Sequence, residues 1–155
     1  MKISLLLTGS ELMSGDTVDS NSAYIAQSLK DLGLTPFVKK VVGDDLDLLT
    51  SSIQELAAVS DVLVVNGGLG PTVDDLTALA LSKATASPLK QHSGAYKKLD
   101  EWATRLGFVL TESNLKQANL PDICGIIDNP YGSAVGFKCV YDCLLYTSPS
   151  PRDRG

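Results

Sequence analysis

Positive charge is in short supply in this chain. Thirteen Lys and Arg face eighteen Asp and Glu, for a formal charge of −5 over 155 residues. Neither nucleic acid nor an anionic membrane surface finds a basic patch to dock on, so both are excluded as partners. Histidine occurs once, at His92 in a Gln-His-Ser-Gly stretch that reads as a loop, and it is given no role. The three cysteines, Cys124, Cys139 and Cys143, are an odd number without C-x-x-C spacing or nearby histidines, which argues against a zinc site. No apolar run approaches the ~18 residues of a membrane span. Lys2 to Leu7 is too short for a signal segment and lacks a small-residue cleavage site, so a reducing, cytoplasmic setting is expected.

What remains is an ordinary globular composition, 44% hydrophobic and 20% charged, in a chain long enough for one domain with a real core. Its centre of gravity is the stretch Asp61 to Thr77. Asp61 to Val65 is a short, β-branched, apolar run that reads as a buried strand. Thr72 to about Ala84 carries Val73, Leu76, Leu79 and Ala80 at a helical period. Between them stand Gly67, Gly68 and Gly70, then Pro71. A strand, a glycine loop and a helix N-terminus together make an anion cradle: amides converge, the helix dipole favours negative charge, and glycine permits close approach.

Two familiar phosphate loops do not fit. Gly70 is followed by Pro71-Thr72 and not by Lys-Ser/Thr, which excludes a P-loop; Val73 stands where a dinucleotide fingerprint needs its third glycine. The distinguishing feature is Asp74-Asp75 beside the loop. A carboxylate repels phosphate unless a cation lies between them, so Mg²⁺ or a similar divalent metal is expected. The same residues also fit a simple helix start, with Thr72 as N-cap and Asp75 three residues on. Both readings stand at this point.

Along the rest of the chain, Ile3 to Leu7 is a first strand, and Leu12 to Asn21 is a polar loop. A helix capped within Asp19-Ser-Asn-Ser22 follows, with Tyr24, Ile25, Leu29 and Leu32 on its apolar stripe and Gly33 as its stop. Thr35 to Val42 is a second strand. Gly43-Asp-Asp45 turns into a helix with Leu46, Leu49, Ile53, Leu56 and Ala57 on one face. A helix from about Ser93 buries Leu99, Trp102, Ala103 and Leu106 and ends at Gly107; Thr111 to Ala118 is a short helical segment. Ile126 to Asp128 and Val135 to Tyr141 are strand-like. The alternation predicts an α/β fold, a three-layer α/β/α sandwich on a mostly parallel, mixed sheet. Ligands in such sheets bind beyond the carboxyl ends of the strands, where the Thr8–Glu11 turn and the 66–75 loop both lie.

The segment Gly67-Gly-Leu-Gly-Pro-Thr-Val-Asp-Asp-Leu-Thr77 resembles the Gly-Gly-x-Gly-x-x-x-x-Asp-x-Thr signature of the molybdopterin-binding domain family, the MoaB/MogA group. With Leu69 and Pro71-Thr72 it is most similar to the CinA-like branch (competence/damage-inducible protein A, N-terminal domain). Thr8-Gly-Ser-Glu11 with Gly15 and Asn21, Val42-Gly-Asp-Asp45, Ser113 to Ala118 with Leu120-Pro121, and Asn129 to Phe137 agree in order, over Met1 to about Asp142.

This resemblance implies a site for a phosphorylated small molecule with a divalent cation. Asp75 matches the acidic residue of metal-assisted phosphoryl chemistry, and Glu11 joins it as the second catalytic and metal-binding candidate. Gly67, Gly68 and Gly70 match the anion cradle and Thr77 its support. Thr8, Gly9 and Ser10 match the opposing loop, with Asn21 nearby; Ser10 departs from relatives that carry Asp there. Ser113, Asn114 and Lys116 are candidates for the far wall, although Asn114 also suits a helix cap and Lys116 a solvated cation. Gly132 and Ser133 offer an amide and a hydroxyl to a second phosphate.

The implied activity is metal-dependent hydrolysis of a nucleotide pyrophosphate such as ADP-ribose. Adenylyl transfer to molybdopterin and non-catalytic pterin or nucleotide binding are the alternatives. A homo-oligomer is expected by the same resemblance. The nicotinamide-nucleotide deamidase domain that CinA proteins can carry at the C-terminus is not among these residues. Finally, Cys143 to Gly155 lacks periodicity, carries Pro149 and Pro151, and departs from the family pattern. It reads as a foreign, adaptor-like tail, so that the domain 1–142 would lack a strand and expose a sheet edge.

Overall fold

The computed structural model describes residues 1–15 and 19–148. Its centre is a six-stranded mixed sheet in the order β2-β1-β3-β8-β7-β6. Strands β1 (Ile3–Thr8), β2 (Val38–Val42), β3 (Val62–Asn66) and β8 (Cys143–Ser148) run parallel, while β7 (Gly136–Tyr141) runs antiparallel to both of its neighbours, β8 and β6 (Gly125–Ile127). All six residues of β1 are buried. Leu6 belongs to the main core with Leu63, Val65, Leu145 and Phe137. Ile3, Leu5 and Leu7 point the other way and are buried too. A strand whose two alternating faces are both apolar is covered on both sides, which makes the three-layer sandwich.

Helix α3 (Leu46–Val59) packs on β1, β3 and β8 and against α4 (Thr77–Thr85). Its buried face is Leu49, Ser52, Ile53, Leu56 and Ala57, with Asp45 as N-cap accepting from the Leu48 amide at 3.0 Å. Helix α5 (Ser93–Leu106) buries Ala95, Leu99 and Ala103 and ends at Gly107 in the left-handed conformation. His92 is its N-cap, accepting from the Ala95 amide through Nδ1 at 3.2 Å, so the lone histidine has a structural task and is not merely solvated.

Four expectations are corrected. The polar segment after β1 contains a short helix, α1 (Ser10–Ser14), instead of being loop throughout. Helix α2 (Ser20–Asp31) buries only Ser22, and Tyr24 and Leu32 of its apolar stripe are 73% and 75% exposed. The helix of the glycine loop begins at Thr77 and not at Thr72, because the chain makes a separate turn at 72–75 before it, closed by Asp75 N–H donating to the Thr72 carbonyl. Finally, Cys143–Ser148 is a strand seated between β3 and β7. The missing strand and bare sheet edge expected of a domain ending at 142 are therefore not found: this strand pairs with β3 and β7. Cys143, Leu145 and Thr147 point inward, an alternation hidden by the hydroxyls of Thr147 and Ser148. Residues 149–155 of the proposed tail lie outside the described residues. A small antiparallel pair, β4 (Leu89–Gln91) with β5 (Asn119–Pro121), went unseen in the sequence because each strand is three residues long.

Strand order positions the site. The chain leaves β1 toward β2 and leaves β3 toward the opposite side of the sheet. Adjacent strands whose exits part in this way open a crevice at their carboxyl ends. Leu7 is in register with Asn66, so Thr8 and Gly67 emerge side by side.

Candidate functional site

Gly67 and Gly68 make the bend that leaves β3, with φ of 103° and 70°. Side chains rarely adopt either value. A methyl group on Gly67 would come within 2.5 Å of the Thr8 carbonyl oxygen, and one on Gly68 would collide with Thr77 Oγ1. The two loops are thus packed backbone to backbone. Thr77 Oγ1 donates to the Gly67 carbonyl at 2.8 Å, Thr77 N–H donates to the Gly68 carbonyl at 3.3 Å, and Gly67 N–H donates to the Ser148 carbonyl at 3.0 Å. The support role expected of Thr77 has this physical form.

Asp75 is 5% exposed. Its Oδ2 accepts from Thr72 N–H at 3.0 Å and from Thr72 Oγ1 at 2.7 Å. This is half of the expected cap in a turn of its own: the carboxylate reaches back to Thr72, but helix α4 starts later. Lys116 comes from the turn after α6 (Glu112–Leu115) and donates to the backbone carbonyls of Thr72 and of Asp75, the latter at 2.7 Å. Burial holds the Lys116 ammonium below its ordinary range, with Asp75 and Asp74 working against that shift. The cation clasps the loop and lies beside its carboxylate.

Behind the loop is a cavity of about 280 Å³. Its lining combines Gly68, Gly70, Asp75 and Lys116 with the apolar side chains of Leu120, Val135 and Phe137. Gln117, 7% exposed, forms part of the wall. Its Nε2 donates to the Leu69 carbonyl at 3.3 Å, while its Oε1 is buried without a hydrogen-bond partner among the described residues. Leaving such an acceptor unpaired costs about 1–3 kcal/mol. Sequence reasoning missed Gln117; the signal available was a polar residue between Lys116 and the apolar Ala118.

The other candidates divide. Gly9 N–H donates to the Val42 carbonyl at 3.1 Å, tying the β1 exit to β2, and Ser10 Oγ donates to Asp44 at 2.7 Å. Glu11 folds back under Gly9, where its carboxylate fills the space a side chain at Gly9 would need. It does not line the cavity that Asp75 lines. Asn21 Nδ2 donates to Asn66 Oδ1 at 3.1 Å, and Asn66 Nδ2 donates to Ser148 Oγ at 2.8 Å, a relay across the carboxyl ends of β3 and β8. Asn66, the polar last residue of an apolar strand, is a second residue the sequence reading overlooked.

Asn114 does what the plainer reading held: it completes a capping box with Thr111, its amide donating to Thr111 Oγ1 at 3.3 Å while its Oδ1 accepts from Thr111 N–H at 3.1 Å. Ser113 is exposed on the same short helix. Gly132 lines a different groove, with Lys98, Trp102 and Arg105, and neither it nor Ser133 lines the Asp75 cavity. Of the three candidates for the far wall, Lys116 lines the Asp75 cavity, next to Gln117, and Ser113 and Asn114 do not.

No three Asp, Glu, His or Cys side chains converge as a metal site among the described residues. Mg²⁺, however, is commonly held by one or two carboxylates plus the phosphates of a substrate, and the buried Asp75 beside the loop meets that smaller demand.

Sequence and fold are shared with known proteins. A family model described as a probable molybdopterin binding domain matches residues 4–142. A CinA-like protein of Colwellia psychrerythraea is 54% identical over 149 residues, which is 96% of this chain and 34% of that protein. One of Shewanella frigidimarina is 44% identical over 138 residues, 89% of this chain and 32% of that protein. The chain therefore spans about a third of the length of these curated relatives. The crystal structure of CinA from Thermoplasma acidophilum, a protein described as of unknown function, superposes with a TM-score of 0.90 at 32% identity, covering 99% of this chain and 92% of that one. The molybdopterin biosynthesis enzyme MoaB of Thermus thermophilus shares the fold, with a TM-score of 0.62 at 16% identity over 99% of this chain and 84% of that one. Among the described residues, no helix is long and apolar enough to cross a membrane.

Proposed function

Because this chain belongs to the family of molybdopterin-binding domains, in its CinA-like branch, we propose that it holds a nucleotide diphosphate at the 67–70 loop and hydrolyses it, with an ADP-ribose-like compound as substrate. The observation that carries this reading is the pairing of a glycine bend too tight for any side chain with a buried carboxylate three residues past Thr72. The bend packs the loop on Thr8 and Thr77 and leaves Gly68 and Gly70 on the cavity wall, where main chain at a glycine loop suits the charge of a phosphate.

Asp75 is the residue that would hold a divalent cation, which when bound would neutralise phosphate charge and acidify a water. The chain's own groups do the rest. The loop fixes the diphosphate. Lys116 adds positive charge beside it, and its bonds to the Thr72 and Asp75 carbonyls keep the 72–75 turn in one shape. Thr72 pins one oxygen of Asp75, which orients the carboxylate. The carboxylate then accepts the proton of a water whose oxygen bonds to phosphorus as the bridging P–O bond breaks. AMP and a sugar phosphate are the products from ADP-ribose.

Adenylyl transfer to molybdopterin is the second reading, favoured by the fold shared with MoaB; binding without turnover is the third. One experiment sorts them. The protein is incubated with ADP-ribose, or with molybdopterin plus ATP, with and without Mg²⁺. AMP release that needs the metal and disappears in Asp75→Asn supports the first. An adenylated pterin supports the second, and saturable binding without product the third. Hydrolysis undiminished in Asp75→Asn removes that residue from the mechanism.

A further inference from the structure

We propose that Cys124 and Cys139 are a modification site, a cross-strand thiol pair that hydrogen peroxide closes to a disulfide while the chain stays folded. This chemistry does not depend on what the 67–70 loop binds.

Strand register puts the two sulfurs together. β6 and β7 pair antiparallel, with Gly125 opposite Lys138 and Ile126 opposite Phe137. One step further along the same register sets Cys124 opposite Cys139. Alternation puts both on the face of Ile126 and Phe137, and all four side chains join the main core. Directly opposed residues of an antiparallel pair have Cα atoms about 4.5–5.5 Å apart, inside the roughly 4.4–6.8 Å that a disulfide spans. The thiols already touch, Cys124 donating its proton to the Cys139 sulfur. Cys143 is the wrong partner, because Leu145 stands opposite Cys139 and Cys143 is only its diagonal neighbour. Diagonal neighbours lie about 7–8 Å apart, beyond what a disulfide bridges without moving the backbone. No third metal-ligating side chain joins the pair among the described residues, so it is not part of a metal cage.

The hydrogen bond from Cys124 draws the Cys139 thiol below its ordinary range, against the effect of burial, which makes Cys139 the nucleophile. Its thiolate attacks hydrogen peroxide and the O–O bond breaks. Hydroxide leaves, takes up the proton that Cys139 released, and Cys139 becomes a sulfenic acid. The Cys124 sulfur then attacks that sulfur, and its proton departs with the sulfenic hydroxyl as water. Two thiols and one peroxide thus give one disulfide and two waters. Access is through an edge: β6 is the three-residue outer strand of the sheet, and such edges open locally at the least cost. The disulfide adds no atoms, so the core receives it where an alkylating group has no room.

The test exposes the reduced, intact chain to excess hydrogen peroxide without denaturant, and then maps its cysteine peptides. A peptide pair linked through Cys124 and Cys139 is expected, with Cys143 unlinked. The linked protein is expected to melt roughly 5–10 °C higher, since the bond closes a loop of about 15 residues. Dithiothreitol reverses both changes. Cys143→Ser is expected to behave as the wild type, and Cys124→Ser to take up oxygen at Cys139 without a link. The proposal is overturned if the cysteines stay unchanged or only gain oxygen, if the link includes Cys143, or if the linked protein has lost its cooperative melt. Should Cys124→Ser fail to fold, the maps of the wild type and Cys143→Ser still decide.

Discussion

The Lys116 ammonium donates to the main-chain carbonyl of Asp75 at 2.7 Å, a bond to the backbone of the residue whose carboxylate is held by Thr72. One cation therefore sets the shape of the turn while its charge stays beside the acid.

This relationship has a pH signature. Burial lowers the Lys116 pKa from its ordinary 10.5. Between the lowered value and 10.5 the unfolded chain binds more protons than the folded one, so stability rises with pH in that window. Paired denaturation curves of the wild type and Lys116→Met are expected to diverge in favour of the wild type as pH climbs toward 10.5, and to run parallel near neutrality. A constant difference across that window contradicts the assignment.

Asp19 works in the opposite direction. Its burial raises the pKa, but the Ser22 hydroxyl and amide, together with Lys39 at 3.1 Å, outweigh that and hold it below 3.8. Its contribution is present above 3.8 and is lost as pH falls through the lowered value. Asp19→Ala is expected to cost about 1 kcal/mol at neutral pH, the scale of a helix N-cap. The gap between variant and wild type should close on acidification, read from urea midpoints at pH 7 and pH 3.

At the glycine bend, Gly67→Ala and Gly68→Ala each force a side chain into a positive φ and into contact with Thr8 or Thr77. Each is expected to lose about 1–3 kcal/mol of stability and to abolish nucleotide binding. Gly125→Ala has no atom within 4 Å of the new methyl and serves as the neutral control. Thermal melts beside binding isotherms check both halves.

Leu145 is fully buried in the main core at the centre of β8. Leu145→Ala is expected to cost about 2–5 kcal/mol, as for other buried leucines. Its neighbour Leu144, 45% exposed on the same strand, should tolerate alanine with little loss. Equal effects at the two positions would show that this strand is not seated between β3 and β7.

All three cysteines are buried and unpaired by disulfides. Cys124 also shares its thiol proton with Cys139, and that bond together with burial drives its pKa upward. Iodoacetamide at pH 8 is expected to leave the folded protein unmodified and to label all three positions in urea, counted by intact mass. Rapid labelling of Cys124 in the folded protein would refute the placement.

Much of this was legible in the chain because it rests on short-range physics. Val62–Asn66, the glycines that follow, the Asp45 cap and the Gly107 stop are each local choices of backbone and side chain. The glycine bend could be read from Gly67 and Gly68 because φ above zero admits little else. Asn114 was ambiguous until its capping box was in view, since the same amide serves a helix end or a ligand.

The sequence alone determined the α/β sandwich, the glycine loop and the acid beside it, because apolar period and backbone freedom are properties of neighbours along the chain. Tertiary structure decided that Cys143–Ser148 completes the sheet, that Lys116 grips the loop from 41 residues away, and that Gln117 is buried with one oxygen unpaired among the described residues. Those facts depend on which distant segments meet, and partners across space leave no period in the sequence.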